Sequence, residues 1–170
     1  MNSHRIMIVD DDPHVLSSLE RLLLRDNYQV FKADNAYEAL TQLEKEPVDL
    51  IISDLRMPDM SGLELLTQVK ARFPDIIRII LTGYAEIESI ISAINQGEVY
   101  RFLTKPWNDF EIRFAIKQAL ERRDLELENK KLTHTVCKQS ETLKALEKKF
   151  PGIACVEKTE DGAIIIDKDA

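Results

Sequence analysis

Between residue 5 and about residue 103, short apolar runs alternate with stretches in which apolar positions recur every three or four residues. The runs read as strands and the periodic stretches as amphipathic helices. Candidate strands fall at residues 6–9, 28–31, 50–53, 76–81 and 99–103. Their near-continuous apolar character is that of strands buried on both faces of a parallel sheet. The helices between them have legible starts. Asp12 is an N-cap ahead of Pro13, Ser61 forms a capping box with Glu64, and Asn108 is set to do the same with Glu111. Gly97, and Pro74 following Phe73, mark helix ends. The expected class is α/β: five βα units in a five-stranded doubly wound parallel sheet of order 2-1-3-4-5, occupying residues 1–124.

The last helix outruns that domain. Residues 108–150 contain neither Gly nor Pro, and good helix formers dominate. A heptad register fits over residues 125–150, with Leu125, Leu132, Gln139 and Leu146 at d and Asn129, Val136, Leu143 and Phe150 at a. Such a seam predicts a coiled coil and hence a homodimer through the C-terminal helix, with Asn129 the kind of buried amide that fixes register and strand number. Residues at e and g carry few complementary charges, so the pattern at this level leaves the strands' orientation open. Pro151 then breaks the helix, and residues 151–170 read as a short β-hairpin turning at Asp161-Gly162.

Charge narrows the function classes. Across 170 residues, 23 Lys and Arg face 30 Asp and Glu, for a net charge of −7. That field repels polyanions, so direct nucleic-acid binding is not expected. No apolar run is long enough to span a bilayer, and the N-terminus lacks the apolar core of a secretion signal. Cys137 and Cys155 have no metal or redox spacing, which suits a reducing, cytoplasmic setting. The histidines are His4, His14 and His134; the last falls at an exposed f position of the heptad and reads as solvated.

Some carboxylates nonetheless stand where a fold should resist them. Asp10 and Asp11 follow the first strand, and Asp54 follows the third. In a doubly wound sheet the crevice for ligands lies beyond the carboxyl ends of the strands, where the strand order reverses. Strands one and three are neighbours in the expected order, so the three carboxylates should converge. Clustered like charges oppose one another's ionisation, and a hard cation bound through oxygen, most simply Mg²⁺, would relieve them. Thr82 closes the fourth strand beside Gly83, and Lys105 follows the fifth. A carboxylate, a divalent cation, a hydroxyl and an ammonium at one point suit phosphoryl transfer, in which a carboxylate attacks phosphorus and cations neutralise the oxygens.

These segments resemble the receiver domain of bacterial two-component response regulators. The likeness lies in IMIVDDDP, SDLRMPDMSGLELL around Asp54, ILTGYAE at Thr82 and YRFLTKPW at Lys105, and covers roughly residues 4–124. It implies a flavodoxin-like fold in which Asp54 takes a phosphoryl group from the phosphohistidine of a sensor histidine kinase. Asp11, Asp54 and the Arg56 carbonyl would hold Mg²⁺, with Asp10 acting mainly through water. Thr82 and Lys105 would grip the phosphoryl oxygens, and Phe102 stands at the family's switch aromatic. Arg56 and Tyr84 occupy the positions that govern loss of the phosphoryl group to water, and their bulk predicts a shielded, longer-lived phosphoaspartate. The YRFLTKPW segment is similar to that of receivers joined to HD-type phosphodiesterases.

The segment after Glu121 is too short and too regular for a familiar effector domain, so the expected output is protein contact or dimerisation with a downstream protein not named by the sequence. By this reading the chain is a regulator that catalyses only its own phosphorylation and dephosphorylation. A haloacid-dehalogenase-like phosphatase using Asp10 as nucleophile is the rival reading, since IMIVDDDP also fits that family's opening. Asp54 in its DLRMP motif has no place in that scheme. A scaffold that has lost phosphorylation is a second rival, opposed by the full set of acidic, Thr and Lys residues.

Overall fold

The structure, a computed structural model, describes residues 4–83 and 98–150. The expected hairpin, the helix end at Gly97, Tyr84 and Cys155 lie outside the described residues. In chain order the elements are β1 (Arg5–Val9), α1 (Pro13–Leu24), β2 (Gln29–Ala33), α2 (Ala36–Leu43), β3 (Leu50–Asp54), α3 (Gly62–Arg72), β4 (Ile77–Thr82), β5 (Arg101–Thr104) and α4 (Asp109–Lys149). The five strands pair in parallel in the order β2-β1-β3-β4-β5, as expected. β2 begins at Gln29 because the Tyr28 N–H turns back to the Leu23 carbonyl, after Asn27 passes through a left-handed conformation with φ 60°.

Alternation along the strands divides the core into two layers. Met7, Val9, Ile51 and Ile80 face α2 and α3, meeting Leu40, Leu43, Leu65, Leu66 and Val69. Ile6, Ile8, Leu50, Ile52, Ile79 and Leu81 point the other way, onto Leu16, Leu19 and Leu23 of α1 and Ile112, Ile116 and Leu120 of α4. A two-residue period in the strands therefore meets a 3.6-residue period in the helices on both sides. The helix starts are capped as their sequences predict. The Asp12 carboxylate accepts from the His14 N–H, Ser61 and Glu64 form a reciprocal box, and Asn108 Oδ1 accepts from the N–H groups of Phe110 and Glu111.

Residues 1–125 form one compact unit and residues 126–170 a second. In the first, Arg123 fastens α4 to the base of the sheet: its Nη2 lies 2.9 Å from Asp49 Oδ1, and its Nε donates to the Asp75 carbonyl at 2.9 Å. Asp49 in turn accepts from the Arg5 N–H through its other oxygen. In the second unit, α4 continues unbroken to Lys149 with nearly every residue exposed.

Gly62 sets how closely α3 approaches the end of β3. Its N–H donates to the Leu55 carbonyl at 3.0 Å, and a Cβ at this position would stand 1.9 Å from the Asp54 carbonyl oxygen. That obstacle is backbone, which cannot swing aside as a side chain does. Gly62→Ala should destabilise the chain by about 3 kcal/mol, at the upper end for overpacking, read as a lower urea midpoint with an unchanged m-value.

Candidate functional site

Strand register brings four elements to one edge. Val9 pairs with Ser53, Asp54 with Leu81, and Thr82 with Thr104. Asp10, Asp54, Thr82 and Lys105 consequently end four adjacent strands at one level. The Lys105 N–H donates to the Thr82 carbonyl at 2.8 Å, extending the β4–β5 ladder by one bond before the cis Lys105–Pro106 peptide turns the chain toward α4.

From there the Lys105 side chain crosses the crevice. Its Nζ lies 2.7 Å from Asp10 Oδ2 and 2.5 Å from Asp54 Oδ1. The second oxygen of each carboxylate has its own donor: the Asp12 N–H reaches Asp10 Oδ1 at 2.9 Å, and the Arg56 N–H reaches Asp54 Oδ2 at 3.0 Å. Asp10 is 1% exposed and Asp54 8%. Behind Asp54, the buried Ser53 hydroxyl donates to the Asp54 carbonyl at 2.9 Å.

Burial and pairing oppose each other here. Desolvation raises the Asp10 pKa above 3.8, and the hydrogen bonds from Lys105 and Asp12 offset this only in part. For Lys105, burial disfavours the ammonium, but bonds to Asp10 and Asp54 outweigh it and hold the pKa above 10.5. The ammonium is thus fixed as a cation at neutral pH. Asp10 is a buried carboxylate that an added proton or positive charge would favour.

Two of the three carboxylates expected to converge lie together in the structure. Asp10 and Asp54 meet at Lys105, but Asp11 is exposed, and among the described residues no three His, Cys, Asp or Glu side chains are grouped to hold a metal ion. Lys105 supplies a counter-charge to the two buried carboxylates. Thr82 is buried, with its Oγ1 donating to the Gly83 carbonyl at 3.0 Å, and a Cβ on Gly83 would find nothing within 4 Å. Phe102 is partly buried against the α2/α3 layer, and the Arg56 side chain is exposed. Two features of the site escaped the sequence reading: Gly62 against the Asp54 peptide, and Ser53 beneath it. The Ser-Gly pair opening a capped helix was a signal for Gly62; Ser53 carries none.

A family model described as the response regulator receiver domain matches residues 6–117. The chain is 40% identical over 117 residues to the transcriptional regulatory protein GlrR of Escherichia coli, which covers 69% of this chain and 26% of that protein. It is 35% identical over 120 residues to sporulation initiation phosphotransferase F of Bacillus subtilis, covering 71% of this chain and 96% of that one. Among solved structures, the signal receiver domain of an HD domain-containing protein from Pseudomonas fluorescens superposes with a TM-score of 0.71 at 39% identity, over 75% of this chain and 94% of that one. The chain spans about a quarter to a third of the length of the larger regulators it matches.

The lysine bridge makes two measurable demands. Lys105→Ala leaves two buried carboxylates facing each other and should cost about 3 kcal/mol, seen in urea unfolding at pH 7. Because the Asp10 pKa is raised on folding, the native chain binds a proton before the unfolded chain does as pH falls from 7 toward 4. This group's contribution to stability therefore rises on that descent. Asp10→Asn should remove that contribution, so that wild type gains on the variant between pH 7 and pH 5 in parallel denaturations.

Proposed function

Because the chain belongs to the response regulator receiver family through residues 6–117, we propose that it is a two-component response regulator phosphorylated on Asp54 by a sensor histidine kinase. The observation that carries this reading is the single ammonium spanning Asp10 and Asp54 at the sheet's switch point, with Thr82 on the adjoining strand. Asp54 Oδ1 attacks phosphorus as the bond to the kinase histidine nitrogen breaks, and the imidazole takes up a proton. To free that oxygen, Lys105 shifts from Asp54 to an oxygen of the incoming group and keeps its bond to Asp10. The Arg56 N–H remains on Oδ2 and holds the carboxylate plane. Thr82 Oγ1 leaves the Gly83 carbonyl to donate to a phosphoryl oxygen, and Phe102 follows into the space released.

Receiver domains bind Mg²⁺ at the phosphorylation site, and the charge of the carboxylates at this crevice suits a divalent cation. Asp10, Asp11 and Asp54 carry three formal negative charges against one from Lys105, leaving an excess of two that a divalent cation matches. Asp11, Asp54 and the Arg56 carbonyl would hold the ion, with Asp10 reached through water. When bound, it neutralises charge on the phosphoryl oxygens. Arg56, two residues after Asp54, and Tyr84, two after Thr82 in the sequence, would shield the phosphoaspartate and slow its hydrolysis.

Output is proposed to pass through protein contact rather than DNA. Its support is the row of exposed apolar residues on α4, from Leu125 at 67% and Val136 at 62% to Phe150 at 59%. These form the seam of a homodimer, with residues 1–124 as receiver and 125–150 as coiled coil. The matched transcriptional regulators share only about a quarter of their length with this chain. The setting proposed is cytoplasmic; among the described residues no helix is long and apolar enough to cross a membrane.

Incubation with acetyl phosphate and Mg²⁺ should add one phosphoryl group to the intact mass. Asp54→Ala should abolish the gain. Label found on Asp10 instead would transfer the protein to the phosphatase reading. Chelation with EDTA should suppress labelling, and saturation with Mg²⁺ at tenfold its dissociation constant should stabilise the fold by about 1.4 kcal/mol. For the dimer, sedimentation should return the mass of two chains, and Val136→Lys with Leu143→Lys should return one while leaving acetyl phosphate labelling intact.

A further inference from the structure

The apolar seam of α4 contains two amides, Asn129 and Gln139, and their spacing decides how two copies can meet. We propose that the helix pairs with a second copy of this chain in parallel and in register, each seam residue facing its own counterpart; this rests on the homodimer reading above. The interface is the row Leu125, Leu132, Val136, Leu143, Leu146 and Phe150, all exposed in the single chain at between 39% and 67%. The row spans about 39 Å of helix.

Three pairings can be compared layer by layer. An antiparallel pair overlapping along the whole seam sets Leu125 against Phe150 and Leu132 against Leu143. It also sets Asn129 against Leu146 and Gln139 against Val136, which buries four amides on apolar partners. Unpaired buried amides oppose association strongly. Sliding the antiparallel pair until Asn129 faces Gln139 cures this, but then Leu146 meets Arg122 and Phe150 meets Gln118. Two of the six apolar residues of each seam, Leu146 and Phe150, are lost. Parallel in-register pairing alone meets both demands: Asn129 faces Asn129, Gln139 faces Gln139, and six apolar layers close on themselves.

Two further observations agree. The Thr133 hydroxyl lies 3.4 Å from Asn129 Oδ1 and also donates to the Asn129 carbonyl at 2.9 Å. Its one proton lies on the nearer carbonyl, so the Asn129 amide nitrogen and oxygen can serve their counterparts across the seam. In the parallel arrangement the flanking contacts within the seam are Glu128 with Thr133, Thr135 with Ser140, and Thr142 with Glu147, none of them between like charges, and the one like-charge contact, Glu126 with Glu121, falls at the seam's start. An amide at an a position selects two strands over three.

Disulfide trapping of the full chain in a Cys137→Ser, Cys155→Ser background tests this. In a glutathione redox buffer, Leu132→Cys and Leu146→Cys should each form a covalent dimer with themselves, while His134→Cys, on the outer face, should not. Cross-linking of Leu132→Cys only when mixed with Leu143→Cys, or only with Val136→Cys, would overturn the parallel register in favour of one antiparallel pairing or the other. Sedimentation of the same proteins before oxidation separates the two levels. A mass of two chains with the wrong cross-links overturns orientation alone; a mass of one chain overturns the dimer reading itself. Asn129→Leu should raise the helix melting temperature and admit species heavier than two chains. A strict dimer with unchanged melting would show that Asn129 does not lie in the seam.

Discussion

One ammonium group holds the crevice together. Lys105 Nζ contacts both Asp10 and Asp54, and without it the carboxyl ends of β1 and β3 would present two desolvated charges to each other. Much of the fold serves to bring that group there. The β1–β3–β4–β5 order sets the strand ends side by side, the Lys105 N–H on the Thr82 carbonyl fixes where the side chain departs, and the two apolar layers keep water from the carboxylates' inner side. The arrangement satisfies hydrogen bonds without removing the charge imbalance. Stability is given up at the point where a cation and a phosphoryl group are to be received, a common location for such concessions.

Most of the fold was legible in the chain because its periodicities are strong. Strand order and class follow from apolar runs separated by amphipathic helices, and Asp12, Ser61 and Glu64 cap where their chemistry predicts. Strand ends moved by one or two residues, as at Tyr28, apolar enough to look like strand while its N–H turns back to the Leu23 carbonyl, and at Val99, two residues before β5 begins. At the site, Asp10, Asp54, Thr82 and Lys105 were identifiable by their positions after strands. The partner of the two buried carboxylates was not: like-charge reasoning calls for a cation, and only the geometry shows that a side chain from the far strand fills that need first. Gly62 was hidden for a different reason. A close approach between backbones leaves no mark in hydrophobic pattern.

The long helix changes character along its length. Within the first unit its buried residues are Ile112, Ala115, Ile116, Ala119 and Leu120, the broad stripe of a helix lying on a sheet. From Leu125 onward the apolar positions thin to the narrow seven-residue spacing of a helix that meets another helix. The same element thus obeys two packing rules in succession, with Arg123 fastened to the sheet near the change.

The two glycines near the site give Asp54 unequal surroundings in a mechanical sense. On the α3 side, Gly62 is pressed to the Asp54 carbonyl and Ser53 ties that carbonyl from below, so the main chain has no slack. On the β4 side, the Cβ direction of Gly83 is open. A load applied at the Asp54 carboxylate meets a stiff wall on one flank and a void on the other. Displacement is thereby rectified, passing outward along β4 while the α3 side serves as an anvil.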